Sequence, residues 1–207
     1  MTSHPTIMDA GPGLTFFSAR QERLLFQIVG PVSIPEIVRA EIAGKARRDS
    51  RFHPASTVMG RLPDTLLRVL SDTPTPELAR AVHRLSGQKF DQRQLEKKDL
   101  GETMVIAHAV VSAEAGENVI VMIDEGEGTR VAIREAERLE RLRTAGAHCG
   151  SLRLLSTLDI LSTAIRRQVI TDRGHLRKIY AQFRTLDDGL VRIEDTPLLS
   201  PQLWSGN

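Results

Sequence analysis

The run Val119-Ile120-Val121-Met122-Ile123, closed by Asp124, constrains the fold more than any other stretch. It is too short for an ordinary helix and too uniformly apolar for a strand with one wet face. Its β-branched content predicts a strand buried on both faces of a parallel sheet. Thr6-Ile7-Met8 running into Asp9 repeats the pattern in miniature. Between and after these segments the apolar residues recur at helical spacing. Helices are predicted over 14–29, stopped by Gly30, then over a segment opened by Pro35 and carrying Ile37, Val38 and Ile42, and over 101–116, 129–143, 157–169 and 173–185. Further strands are predicted at 32–34 and 152–155, with an edge strand at 190–193. Strands alternating with helices imply a doubly wound α/β fold, three layers α/β/α around a mostly parallel central sheet. Residues 49–95 are punctuated by Pro54, Gly60, Pro63, Pro74 and Pro76. Amphipathic segments at 61–70 and 77–85 make this stretch a helical insert or cap over the sheet edge. The expectation is a single domain over 1–195 and a C-terminal tail over 196–207.

In sheets of this kind, sites form outside the carboxyl ends of the strands. Asp9 and Asp124 each end a strand, so both are expected at one edge. The rest of the composition narrows the chemistry. One cysteine, Cys149, excludes an internal disulfide and fits a reducing cytoplasm. No apolar run approaches the ~20 residues that span a bilayer, and no leader segment is evident, so no membrane partner is expected. The six histidines lack metal-binding spacing, which argues against zinc. Gly11-Pro12-Gly13 lacks the Gly-Lys-Ser/Thr ending of a phosphate loop. Net charge is only +2, yet residues 130–184 hold twelve basic against five acidic side chains. That local excess suits a polyanionic partner. Aromatics at 4% argue against a stacking platform for single strands.

The acids fall in an order that resembles a known family. Ile7-Met8-Asp9-Ala10-Gly11-Pro12 is similar to the first motif of PIN-domain proteins, in particular the bacterial toxin-like (VapC-like) ribonuclease branch. Val32-Ser33-Ile34-Pro35, leading through Val38 to Glu41, resembles that family's strand-to-helix element. Gly101-Glu102 followed by Ile106-Ala107-His108-Ala109, then Ile123-Asp124-Glu125 followed by Arg130-Val131-Ala132, resemble the next two. Leu155-Ser156-Thr157-Leu158 resembles the last. The matches cover most of the chain, with 49–95 the weak part. Departures are Gly13, an insertion; Glu125, where many relatives carry Asp; and Ser156 and Asp159, where glycine is usual.

The resemblance implies a PIN-like fold and a metal-dependent RNA endonuclease, the toxin of a toxin–antitoxin pair. Its partners would be RNA, an antitoxin protein and a second copy in a homodimer. The implied metal is Mg²⁺ or Mn²⁺. Asp9, Glu102 and Asp124 would be metal ligands, Glu41 would position water, and Asp99 and Glu125 are substitutes. Arg130 and Thr157 would bind substrate phosphate or orient carboxylates. Hard cations prefer carboxylate and water oxygens, so such a set needs no histidine or thiol.

Each acid also has a plainer reading. Asp9 is a favoured helix N-cap. Glu102 stands three residues after Asp99, as in a capping box. Glu41 could sit on a solvated helix face. Arg130, Arg134, Arg138 and Arg141 form either a phosphate-tracking stripe or a face laced by Glu–Arg pairs. A non-catalytic PIN-like module that binds nucleic acid or protein is the alternative function.

Overall fold

A computed structural model describes residues 4–124 and 126–205. In chain order its elements are β1 (Thr6–Met8), α1 (Ala10–Ser18), α2 (Glu22–Val29), β2 (Val32–Pro35), α3 (Glu36–Arg48), α4 (His53–Met59), β3 (Leu67–Leu70), α5 (Pro76–Ser86), α6 (Phe90–Leu95) and α7 (Leu100–Glu114). There follow β4 (Val119–Met122), α8 (Glu127–Thr144), β5 (Leu152–Leu155), α9 (Thr157–Arg166), α10 (Arg173–Leu186) and α11 (Pro201–Trp204).

The strands form one parallel sheet in the order β3-β2-β1-β4-β5. Helices cover both faces, so the fold is the expected three-layer α/β/α. The apolar run at β4 is buried between them, with Val121 and Met122 fully enclosed. Helix α7 has no wet stripe through its middle: Met104 to Ala107, Ala109 and Val110 are all buried. It packs against α5, α8, β2 and β4, which accounts for an apolar content spread around its circumference.

Strand order reverses between β1 and β4, because the chain builds outward to β3 on one side and later to β5 on the other. The two central strands pair in register, Met8 opposite Met122, and Asp9 N donates to Met122 O at 2.9 Å. Asp9 and Asp124 therefore leave the sheet at the same edge, at the switch point where such folds open a crevice.

Four expectations give way. The helix over 14–29 is two, α1 and α2. Arg20 takes a left-handed conformation (φ 55°) at the break, where no glycine or asparagine marks it. The segment 61–70 is not a helix: Pro63 begins a turn and Leu67–Leu70 pairs with β2 as the edge strand. Its hydrogen bonds are supplied by a neighbour distant in sequence, and periodicity over four residues does not reveal that. So 49–95 supplies part of the sheet itself rather than a purely helical cap. Residues 190–193 form no strand; a 3-10 turn follows at Ile193–Asp195. The predicted tail packs on the body, with Leu198 fully buried and Trp204 Nε1 donating to Leu198 O at 2.7 Å. Among the described residues no helix is long and apolar enough to cross a membrane.

Candidate functional site

Asp9 follows β1 directly and caps α1, its Oδ2 accepting from Gly11 N at 3.4 Å. The capping reading thus holds, but the bond is long for N–H···O and leaves most of the carboxylate's capacity free. Burial raises its pKa, opposed by the backbone N–H groups of Ala10 and Gly11.

Asp124, two residues past β4, is fixed by the start of α9. Thr157 donates from its backbone N at 2.7 Å to Oδ1 and from Oγ1 at 2.8 Å to Oδ2. Burial raises the Asp124 pKa, the Thr157 donors lower it, and the charges of Asp187 and Asp9 raise it further. Thr157 is itself buried and spends its hydroxyl here, so it orients a carboxylate. Ser156 and Asp159 form a capping box at the start of α9. The departure from glycine in the last motif is thus a helix start, which helps hold Thr157 in place.

Glu41 and Glu102 approach from α3 and α7. The Glu41 pKa is pushed up to about 7, first by burial and then by the charge of Asp9, with Glu102 and Asp99 adding to it. The Glu102 pKa is raised by burial, then by Asp9 and Asp99. Both carboxylates lie directly against a glycine, so a side chain there would push them from their present positions. A Cβ at position 101 would collide with the Glu41 carboxylate, and one at 128 with that of Glu102. The N–H groups of Gly101 and Gly128 face these same carboxylates and lower their pKa values. Helix α3 is anchored at its other end: Asp72 accepts from Ile37 N at 2.7 Å and pairs with His108 Nε2 at 2.9 Å, while Glu36 accepts from Asp72 N at 2.9 Å.

Asp9 is thus the hub: its charge acts on Glu41, Glu102 and Asp124, which come from three other elements. None of the four has a Lys, Arg or His partner within ion-pair distance among the described residues. Asp9, Glu102 and Asp124 line an open cleft of about 430 Å³, whereas Glu41 stays off its wall. Asp99 starts α7 with φ 53° and makes no side-chain cap, so the capping box expected with Glu102 does not form. It lines a smaller neighbouring hollow instead. Glu125 lies outside the described residues. Arg130 pairs with Glu127 on the exposed surface and lines neither cavity. Among the described residues no three His, Cys, Asp or Glu side chains stand as a ready-made metal-ligand set.

The sequence reading missed Asp187 and Asp188, which line the cleft from the segment after α10. Acids at a helix C-terminus oppose the helix dipole, and that mismatch was a usable signal. It also missed Lys45, on the same cleft wall as Phe52.

Fold and site together define a parallel α/β domain with an acidic cleft at its topological switch point. No known protein family, no curated protein and no solved structure matches the chain.

Proposed function

We propose that the cleft is the active site of a metal-dependent ribonuclease that hydrolyses phosphodiester bonds. One observation carries the reading: four carboxylates from distant parts of the chain, partly desolvated and with no ion-paired cation among the described residues, act on one another about Asp9. Burying charge uncompensated is costly, and perturbed acids in a cleft are the usual mark of a working site. The donor set fits a hard divalent ion. Mg²⁺ takes one or two protein carboxylates and completes its shell with water and substrate phosphate, so Asp9 and Asp124, with Glu102 beside them, suffice. Bound there, Mg²⁺ or Mn²⁺ would acidify a coordinated water and offset charge on the phosphate. Thr157 holds Asp124 in one orientation, while the Gly101 and Gly128 amides favour the charged forms of Glu41 and Glu102. Glu41, with a pKa of about 7, is the member suited to hold or release a proton near neutral pH. The choice of RNA, a cytoplasmic toxin role, an antitoxin partner and a homodimer rest on the family resemblance alone.

A second reading, a non-catalytic nucleic-acid- or protein-binding module, draws on the engagement of both Asp124 oxygens by Thr157 and on the position of Glu41 off the cleft wall. Cleavage of a labelled single-stranded RNA with Mn²⁺ separates the two. Wild-type protein should cut, chelator should stop it, and Asp9→Asn and Asp124→Asn should each lose roughly 10³-fold, about 4 kcal/mol of transition-state stabilisation. Wild-type activity no higher than that of either variant, over a panel of RNAs, leaves the binding module.

A further inference from the structure

Residues 186–191 line the cleft without a break in sequence, and the fold holds them loosely. They belong to a span between two buried anchors: Phe183, whose ring meets that of Phe16 edge-on at 4.8 Å, and Ile193. No residue from Arg184 to Arg192 is fully buried; Leu186, Asp187 and Leu190 are half-buried. Most hydrogen bonds of the span are local. Gly189 N donates to Asp187 Oδ1 at 2.9 Å and Leu190 N to Asp187 O at 3.3 Å, closing a turn. Tyr180 Oη donates to Val191 O at 2.9 Å and Arg184 Nε to Leu190 O at 3.3 Å. Among the described residues one side-chain hydrogen bond reaches the span from a distant part of the chain: Arg51, itself exposed, donates from Nη1 to Thr185 O at 3.0 Å. Segments with few buried contacts and exposed hydrogen bonds open locally, far below the cost of global unfolding.

The acids of this segment stand where a helix disfavours them. Asp187 and Asp188 follow the C-terminal end of α10, the negative end of its dipole. Neither forms an ion pair among the described residues. The charge of Asp187 acts on Asp124 more strongly than that of Asp9 does, whereas the charge of Asp188 acts on Arg51. In a metal-free cleft Asp187 and Asp124 repel, which works against the turn that carries Asp187. A divalent cation between them reverses the sign, because the bound ion is then the largest local charge.

We infer that residues 186–191 form a strap that a divalent cation in the cleft draws closed, with Asp187 as the residue it draws. The inference rests on the metal-binding half of the nuclease reading. The turn bond from Gly189 occupies one oxygen of Asp187; among the described residues the other accepts no hydrogen bond, and it is the one left for the ion or for a water on it. The cleft then has a looser metal-free form and a firmer loaded one.

Amide hydrogen exchange of the full chain, followed by mass spectrometry on peptides covering 184–192 with and without saturating Mn²⁺, tests it. Local opening governs these amides, so a rise in global stability does not by itself slow them. Mn²⁺ should slow their exchange about tenfold in wild type. Asp187→Asn keeps an acceptor for Gly189 N and removes the charge; it should lose the slowing while Mn²⁺ still raises Tm. Asp188→Asn should keep the slowing. Arg51→Gln should speed exchange of the metal-free protein and leave the response to Mn²⁺ in place. If Mn²⁺ raises the wild-type Tm but leaves strap exchange unchanged, or slows it equally in Asp187→Asn, the strap falls and the metal site stands. Slowing lost equally in Asp188→Asn would point to bulk charge and overturn the role of Asp187. If Mn²⁺ changes neither Tm nor exchange, the metal site falls and the strap with it.

Discussion

Two regions of this molecule bury acids, and they treat them in opposite ways. On the flank where α5, α7 and α8 meet, Glu135 is only 7% exposed and lies 2.8 Å from Arg138 and 3.4 Å from Arg84. Glu114 completes the square, 2.9 Å from Arg84 and 2.6 Å from Arg138. At the carboxyl edge of the sheet Asp9 is nearly as buried, at 9%, but its neighbours are three more acids. The flank ties helices together with compensated charge. Among the described residues the edge acids have no ion-paired cation, and the cost appears as raised pKa values, which protonation or a bound cation would relieve. Acidity alone therefore says little; the presence or absence of a paired cation separates a structural acid from a candidate functional one.

Divalent metal should widen the contrast most. Saturating Mn²⁺, at about a hundred times its Kd, should stabilise the fold by about 2.7 kcal/mol, a rise in Tm of roughly 5–10 °C. The gain should vanish in Asp9→Asn and persist in Glu135→Gln. A thermal scan with no shift in wild type would remove the contrast altogether.

Single charge removals should then differ in sign. Glu135→Gln breaks charge-assisted hydrogen bonds to two arginines and should destabilise by roughly 1.5–3 kcal/mol in urea unfolding. Asp9→Asn keeps a good N-cap while removing the charge that three other acids feel. Without metal at pH 8 it should raise Tm by roughly 2–4 °C, about 1 kcal/mol. A fall in Tm for Asp9→Asn would mean that the edge acids are compensated after all.

The smallest effect is a pH dependence. Glu41 titrates near 4.5 in the unfolded chain and at about 7 in the folded protein. Between those values the folded state binds the extra proton, so this group's contribution to stability falls as pH rises through the window and is flat above it. Asp9, Glu102 and Asp124 shift in the same direction. Metal-free Glu41→Gln should therefore gain on wild type in Tm from pH 4.5 to 7 and hold a constant margin beyond. A margin that does not change with pH would place Glu41 in solvent.

How much of this was legible beforehand depended on range. The apolar β4 run predicted a strand because each of its residues demanded burial on its own account. Asp9 and Asp124 were legible as site residues because a parallel sheet sends its carboxyl ends to one edge. Lys45 was not, since nothing local distinguishes it from the other basic residues at the end of α3. Gly128 carries no mark either, for the side chain it makes room for belongs to α7, and Gly101, though part of a motif, gives no sign that it makes room for Glu41 of α3.

The sequence by itself determined the alternation of strands and helices, the parallel sheet and two of the acids at its edge, because burial demand and helical period are local properties. Tertiary structure alone decided that Leu67–Leu70 pairs as the outer strand, that Thr157 grips Asp124, that Glu135 is compensated and Asp9 is not, and that Asp187 faces the cleft. Each of these is a meeting of groups far apart along the chain. Whether a charge meets its counter-charge is fixed only when the helices that carry them are packed.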